Sequence, residues 1–400
     1  HISKYRRFLI ITSNKSKISP FYAIEIFEKG QIFKSKNGYV KNLALGEPSA
    51  NLPKNLLINL KKKIEEQKFG YTESIGTIEL RKKVSNHYKN NYDADISLEN
   101  VAITAGASAG IFMSLLCLFE KGSFIAITRP GYPAYKNIIK ALDLRVYYID
   151  THIDNNFQLT TDLIKSLPDN IKGIIISSPS NPCGSIISDN EIFNILNICK
   201  LKNIKVISDE IYHKVEYHNK KSNTAFNFDN NSIVINSFSK YFLMTGYRLG
   251  WIIADIDFIN KIRNLSMNFY LSPSSIAQYV AKNVFNHYAY FDSIVLKYLE
   301  NRNYLISKLQ SIGISDIIVP EGAFYLYVNI SKVNNNSYDF CKRMVDDIGV
   351  TLAPGIDFDD KRGNNYVRFS YSCEKTELEE SIKLIKCSIF KKSLVFNTPN

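Results

Sequence analysis

Six short apolar runs rich in Ile and Val recur along the middle of the chain: Val101 to Thr104, Phe124 to Thr128, Gly173 to Ser177, Lys205 to Ser208, Ser232 to Asn236 and Trp251 to Ala254. Helical stretches such as Asp189 to Leu201 separate them. Runs this short, apolar at consecutive positions, fit strands buried on both faces, and the intervening helices supply the covers. The pattern predicts an α/β fold with a mostly parallel sheet covered by helices. Ligands of such sheets sit beyond the carboxyl ends of the strands, so chemistry is expected there. From about Pro273 a helical pattern runs to Leu309. Gly322 to Asn329 and Asn365 to Ser370 read as further strands, and Lys375 to Phe390 as a final helix. Together with the N-terminal segment these build a smaller α+β domain. The expected division is 1–48 (N-terminal arm and part of the small domain), 49–285 (large ligand-binding domain) and 286–400 (small C-terminal domain).

Other classes are set aside by composition. A chain of 400 residues, 45% hydrophobic and 22% charged, can build one large core and a smaller one. No stretch approaches the roughly 20 apolar residues that span a bilayer, so a soluble, cytoplasmic protein without membrane partners is expected. The net charge is +12, but its lysines are scattered rather than gathered in a stripe, and nucleic acid is not an expected partner. The six cysteines form no CxxC pair and no zinc-like Cys/His cluster, which points to free thiols and no metal. The first twenty residues carry Lys4, Arg6, Arg7, Lys15 and Lys17 but no acid. They faintly resemble an organelle-targeting segment, and an exposed arm is the preferred reading.

Chemistry concentrates where strands end. Ser237-Phe238-Ser239-Lys240 is followed by Thr245-Gly246-Tyr247-Arg248. A lysine just beyond a buried strand loses solvation and becomes a nucleophile for an aldehyde. Arg248 supplies a forked cation for a phosphate, and Ser237 and Ser239 supply hydroxyl donors. In Ser208-Asp209-Glu210-Ile211-Tyr212, Asp209 is placed to keep a pyridine nitrogen protonated, and Tyr212 to reach the ring's phenolic O3′. Glu210 points elsewhere and reads as a structural pair. Asn181, in the turn Ser178-Pro179-Ser180-Asn181-Pro182, reads either as turn chemistry or as a donor to O3′. Gly106, Ala107 and Ser108 open a helix reaching about Phe119. Small residues there expose backbone N–H groups to an anion, although close helix–sheet packing also needs them. Tyr132, in Arg129-Pro130-Gly131-Tyr132-Pro133-Ala134-Tyr135, is placed to stack on a flat ring.

Taken in order, these motifs resemble the fold-type I, pyridoxal-phosphate-dependent aminotransferases of class I/II, aspartate-aminotransferase-like, over nearly the whole chain. The resemblance implies pyridoxal 5′-phosphate as cofactor, bound by the large domain and carried by Lys240 as a Schiff base. It implies transfer of an amino group from an L-amino acid to a 2-oxo acid, with Lys240 as the base. Leu45-Gly46-Glu47-Pro48 looks like the family's opening segment, where the Gly46 backbone contacts the substrate carboxylate. Tyr71-Thr72-Glu73-Ser74 resembles the segment whose tyrosine crosses to the neighbouring subunit's phosphate, which implies a homodimer with shared active sites. Gly322-Ala323-Phe324-Tyr325 and Tyr366-Val367-Arg368-Phe369-Ser370 resemble the small-domain strands, with Arg368 clamping the α-carboxylate and Asn181 a further substrate-binding candidate. Cys183 stands where threonine is common. Asp359 follows Phe358 where glycine is common, which puts the loop after Pro354-Gly355 in doubt. The same scaffold hosts PLP-dependent lyases and cyclases, and non-catalytic regulators, which stand as alternatives. Phe21, Tyr22 and Tyr39 are candidates to line the substrate side-chain pocket.

Overall fold

The computed structural model describes residues 12–66, 68–218 and 220–395. Its strands in chain order are β1 (Lys41–Asn42), β2 (Val101–Thr104), β3 (Phe124–Arg129), β4 (Arg145–Asp150), β5 (Ile171–Ser177), β6 (Lys205–Asp209), β7 (Ile233–Ser237), β8 (Gly250–Ile253), β9 (Tyr325–Asn329), β10 (Val350–Thr351), β11 (Ala353–Pro354) and β12 (Tyr366–Ser370). Seven of them form one sheet in the order β2-β8-β7-β6-β5-β3-β4. Every neighbouring pair from β7 to β4 is parallel, and β8 runs against both β2 and β7.

Alternation along the strands splits the apolar side chains between two cores. Ile174, Ile176, Val206, Val234 and Trp251 face one core together with Leu80, Val84, Ile192 and Ile195 of the helices Ile78–Tyr92 and Asp189–Leu201. Ile175, Ile207, Ile235 and Ile252 face the other, with Ile111, Met113, Ile259 and Ile262 of Ala107–Leu118 and Ile256–Phe269. Side-chain caps fix where several helices start: Ser188 accepts from the Glu191 N–H at 3.3 Å and Asp255 from the Phe258 N–H at 3.0 Å.

All six runs read from the sequence are strands, and β4 is an addition. It closes the sheet edge, with Arg145 exposed and Val146 to Tyr148 half-buried, so it lacks the apolar continuity of a central strand. A smaller antiparallel sheet has the order β11-β12-β9, and β1 pairs with β10 in parallel. The helices Tyr22–Asn37, Ser337–Ile348 and Lys375–Val395 pack around these strands.

Other expectations shift by a few residues. The helical pattern from Pro273 to Leu309 is two helices, Ser275–Val284 and Tyr288–Ser311, broken at His287 (φ −124°, ψ 28°). Its apolar pattern carries through the break because Phe285 is buried. The strand expected from Gly322 begins only at Tyr325, since Ala323 takes a left-handed φ of 56°. Lys4, Arg6 and Arg7 lie outside the described residues, while Lys15 pairs with Asp143 at 2.9 Å. Among the described residues no helix is long and apolar enough to cross a membrane.

Candidate active site

Parallel strands β5, β6 and β7 end on one edge of the large sheet, with Ser177 in register with Asp209 and Asp209 with Ile235. Each strand therefore delivers its next residues to the same place. A cleft of about 360 Å³ opens there. Of the residues singled out from the sequence, Gly46, Ala107, Ser108, Tyr132, Asn181, Asp209, Tyr212, Ser237, Ser239, Lys240, Arg248 and Arg368 line it. Gly106 borders it. Its φ is +84°, and a Cβ there would stand 2.9 Å from Arg248 Nη2, so only glycine lets the guanidinium lie against the start of the helix Ala107–Leu118. No side chain caps that helix start, which leaves its first N–H groups to an anion beside Arg248. Tyr71 is not brought in. It is 82% exposed and lines a separate recess with Thr72 and Gln278.

Lys240 sits in the loop between β7 and β8. That loop is closed on itself by Phe238 N–H to the Leu249 carbonyl at 3.1 Å and Met244 N–H to the Phe238 carbonyl at 3.0 Å. Phe238 packs on Trp251, ring centroids 4.7 Å apart, and anchors the loop in the core. The half-buried Lys240 ammonium donates to the Gly46 carbonyl at 2.7 Å. The Ser237 hydroxyl donates to the Leu249 carbonyl at 3.3 Å and accepts the Ser239 N–H at 3.0 Å, so it braces the loop as well as lining the cleft.

Asp209 is 2% exposed. Oδ1 accepts the Ile211 N–H at 3.3 Å, and Oδ2 accepts the Tyr135 hydroxyl. Burial, the dominant cause, pushes its carboxyl up to about 6, against the opposing pull of Tyr135, the Ile211 N–H and Lys240. Glu210 turns the other way, accepting from Ser208, Thr224 and the Ala225 N–H, and burial pushes it up to about 8. Tyr212 shares a 2.8 Å hydroxyl contact with Tyr325, and burial beside that second hydroxyl raises it well above the usual phenol range.

Arg368 reaches the cleft from β12 and is 3% exposed. Nη1 donates to Asn181 Oδ1 at 2.8 Å and Nη2 to the Ala44 carbonyl at 2.6 Å, while the buried Nε has no protein partner. Asn181 thus has its carbonyl oxygen spent on orienting Arg368. The guanidinium lies 4.1 Å from the Tyr325 ring centroid, which fixes its plane. A buried guanidinium with an unmet donor suits a carboxylate that binds through two oxygens.

Tyr135 and Tyr325 hydrogen-bond directly to the candidate residues Asp209 and Tyr212, and sequence reasoning passed them over. Tyr135 lay within the quoted turn sequence, but nothing local shows that one helical start would aim Tyr132 at the cleft and Tyr135 beneath Asp209. Of the pocket candidates, Phe21 lines the cleft. Tyr22 and Tyr39 do not: they pack on Tyr338 and Phe33. Ile24, one turn after Phe21, takes the place expected of them. Asp359 closes the loop in doubt, accepting the Lys361 and Arg362 N–H groups at 2.9 and 2.8 Å and pairing with Arg362 Nε at 2.7 Å. Among the described residues no group of acids, histidines and cysteines is placed to hold a metal ion.

Known proteins share this sequence pattern and fold. A family model described as aminotransferase class I and II matches residues 40–385. Valine–pyruvate aminotransferase of Mycobacterium tuberculosis is 32% identical, with 93% of this chain and 96% of the relative covered. The (5-formylfuran-3-yl)methyl phosphate transaminase of Methanocaldococcus jannaschii is 34% identical, with 92% and 96% covered. A crystal structure of an aminotransferase from Mycobacterium tuberculosis superposes with a TM-score of 0.92 at 31% identity, covering 96% of this chain and 100% of that one.

Proposed function

The chain belongs to the aminotransferase class I and II family and is an aminotransferase, and from that premise we propose that it works with pyridoxal 5′-phosphate held by Lys240. The relatives are named as aminotransferases, so the lyase, cyclase and regulator alternatives are not favoured. The observation that carries the proposal is the meeting of Lys240, Asp209, Arg248 and Arg368 in one cleft, although β7, β6, the start of β8 and β12 deliver them separately.

The residues fit the cofactor. Arg248 and the uncapped helix start at Ala107 and Ser108 suit its phosphate. Asp209, buried with no cation in direct contact, suits a protonated ring nitrogen, and Tyr132 flanks the place of the ring. When bound, the cofactor supplies an aldehyde to capture amines and an electron-withdrawing ring to stabilise negative charge at the amino acid's Cα.

The protein supplies the rest. Arg368, oriented by Asn181 and Ala44, fixes the α-carboxylate and with it the direction of the Cα–H bond. Lys240, as a free amine, would take the Cα proton and hand it to the cofactor's aldehyde carbon, two bonds from Cα across the amino nitrogen. Its Nζ donates to the Gly46 carbonyl at 2.7 Å, inside the cleft where substrate would lie. Asp209 would keep the ring nitrogen protonated by accepting its N–H, and Tyr212, paired with Tyr325, would donate toward the ring oxygen. The exposed Tyr71 does not reach its own cleft, which supports a homodimer in which it reaches the partner's. The division at residues 48/49 and 285/286 belongs to the same reading.

Absorbance of the purified protein with pyridoxal phosphate tests this directly. The wild type is expected to show a lysine-linked cofactor band that Lys240→Ala lacks. Amino acids should convert that band to the pyridoxamine form, and a 2-oxo acid should restore it. Equal bands in both proteins would refute the assignment of Lys240.

A further inference from the structure

We infer that the cleft selects L-amino acids with uncharged, apolar side chains over dicarboxylic or basic ones, an inference that rests on Arg368 holding the α-carboxylate. The wall left for the substrate side chain is Phe21 and Ile24, which flank the start of the helix Tyr22–Asn37. Phe21 meets Tyr132 edge-on, ring centroids 6.3 Å apart, so this wall continues the aromatic flank of the cofactor site.

A helix start ordinarily attracts an anion, because its first N–H groups lack partners. Here that capacity is already used. The Tyr22 and Ala23 N–H groups donate to Asp357 Oδ1 and Oδ2 at 2.9 and 2.8 Å, and Asp357 is 2% exposed. A second acid, Glu47, lines the cleft, with Oε1 accepting the Thr245 hydroxyl at 3.0 Å. Among the described residues this protomer contributes three cations to the cleft, Lys240, Arg248 and Arg368, assigned above to the cofactor's aldehyde, its phosphate and the substrate α-carboxylate. Lys136 lies in an adjoining recess with Asp357 and Asp360, and its ammonium donates to the Asp357 carbonyl at 3.3 Å.

A distal carboxylate brought against Phe21 and Ile24 would shed water, gain no cation from this protomer and share the cleft with Glu47. A distal ammonium would lose water against the same apolar wall, where Asp357 is already spent on the helix and the exposed, hydrated Glu47 already accepts the Thr245 hydroxyl. An apolar side chain gains from burial at no such cost.

The test is a single-turnover half-reaction of the cofactor-loaded protein with L-valine, L-leucine, L-phenylalanine, L-aspartate, L-glutamate and L-lysine. The best apolar amino acid is expected to exceed each charged one by at least about tenfold in the second-order rate constant. Ile24→Arg is expected to raise the aspartate-to-leucine ratio at least about fivefold. A charged amino acid within tenfold of the best apolar one overturns the inference, and so does an unchanged ratio in a folded Ile24→Arg protein. If no amino acid reacts, the amino-transfer reading fails as well, whereas reactivity confined to charged amino acids overturns this inference alone.

Discussion

Asp209→Asn should stabilise the cofactor-free protein while disabling it. The Asp209 carboxyl is pushed from 3.8 to about 6, chiefly by burial. Across that window the native state holds more protons than the unfolded chain, so stability falls as pH rises from about 4 to 6, and above it the full cost is present. The gap corresponds to about 3 kcal/mol near pH 7.5 and shrinks to about 1 kcal/mol near pH 4.5. Asparagine carries no charge to desolvate; its one carbonyl oxygen can accept the Ile211 N–H, and its amide NH2 can donate to the Tyr135 hydroxyl oxygen. For a chain of this length, about 3 kcal/mol corresponds to a rise in Tm of about 3–4 °C. Calorimetry of the two cofactor-free proteins at both pH values measures it. Pyridoxal phosphate should then stabilise the wild type more than the variant, because its charged ring nitrogen compensates only an ionised carboxylate. A variant no more stable than wild type near pH 7.5, or a gain that does not shrink near pH 4.5, would refute the claim that an uncompensated buried carboxylate sits at this position.

Arg368→Lys should raise the KM for the amino donor about 10- to 100-fold, because one ammonium cannot replace a fork held by Asn181 and Ala44; half-reaction saturation curves show whether it does. Gly46→Ala places a Cβ 1.6 Å from the Tyr325 hydroxyl, which must then move and give up its contact with Tyr212. Turnover at least about tenfold lower and a reduced Tm are expected, and wild-type values for both would contradict this packing.

Much of this was legible in the sequence, for definable reasons. Central strands announce themselves because both faces are buried, and the runs at Ile174 to Ile176 and Val234 to Ile235 have nowhere to place a polar residue. An edge strand escapes that constraint, which is why Arg145–Asp150 was not read. Lys240, Asp209 and Arg248 were visible because each follows a strand end within a distinctive local motif. Tyr135 and Asp357 were not, because each acts through a partner far away in the chain: Tyr135 on Asp209, and Asp357 on Tyr22 and Ala23. Hydrogen bonds between remote segments leave no periodicity to find. Tyr22 and Tyr39 misled for the converse reason, since aromatic character alone does not say which core a ring joins.

The cap of the first long helix by Asp357 spans 334 residues of chain. On a ribosome, Phe21 and Ile24 emerge more than 330 residues ahead of the carboxylate that holds their helix in place. The large sheet, complete once Ile253 has emerged, can form well before then. A nascent chain stalled before residue 357 should therefore already hold a protected central sheet while its N-terminal helix remains open to proteases. The wall of the substrate cleft is therefore finished only after the large sheet that carries the cofactor residues.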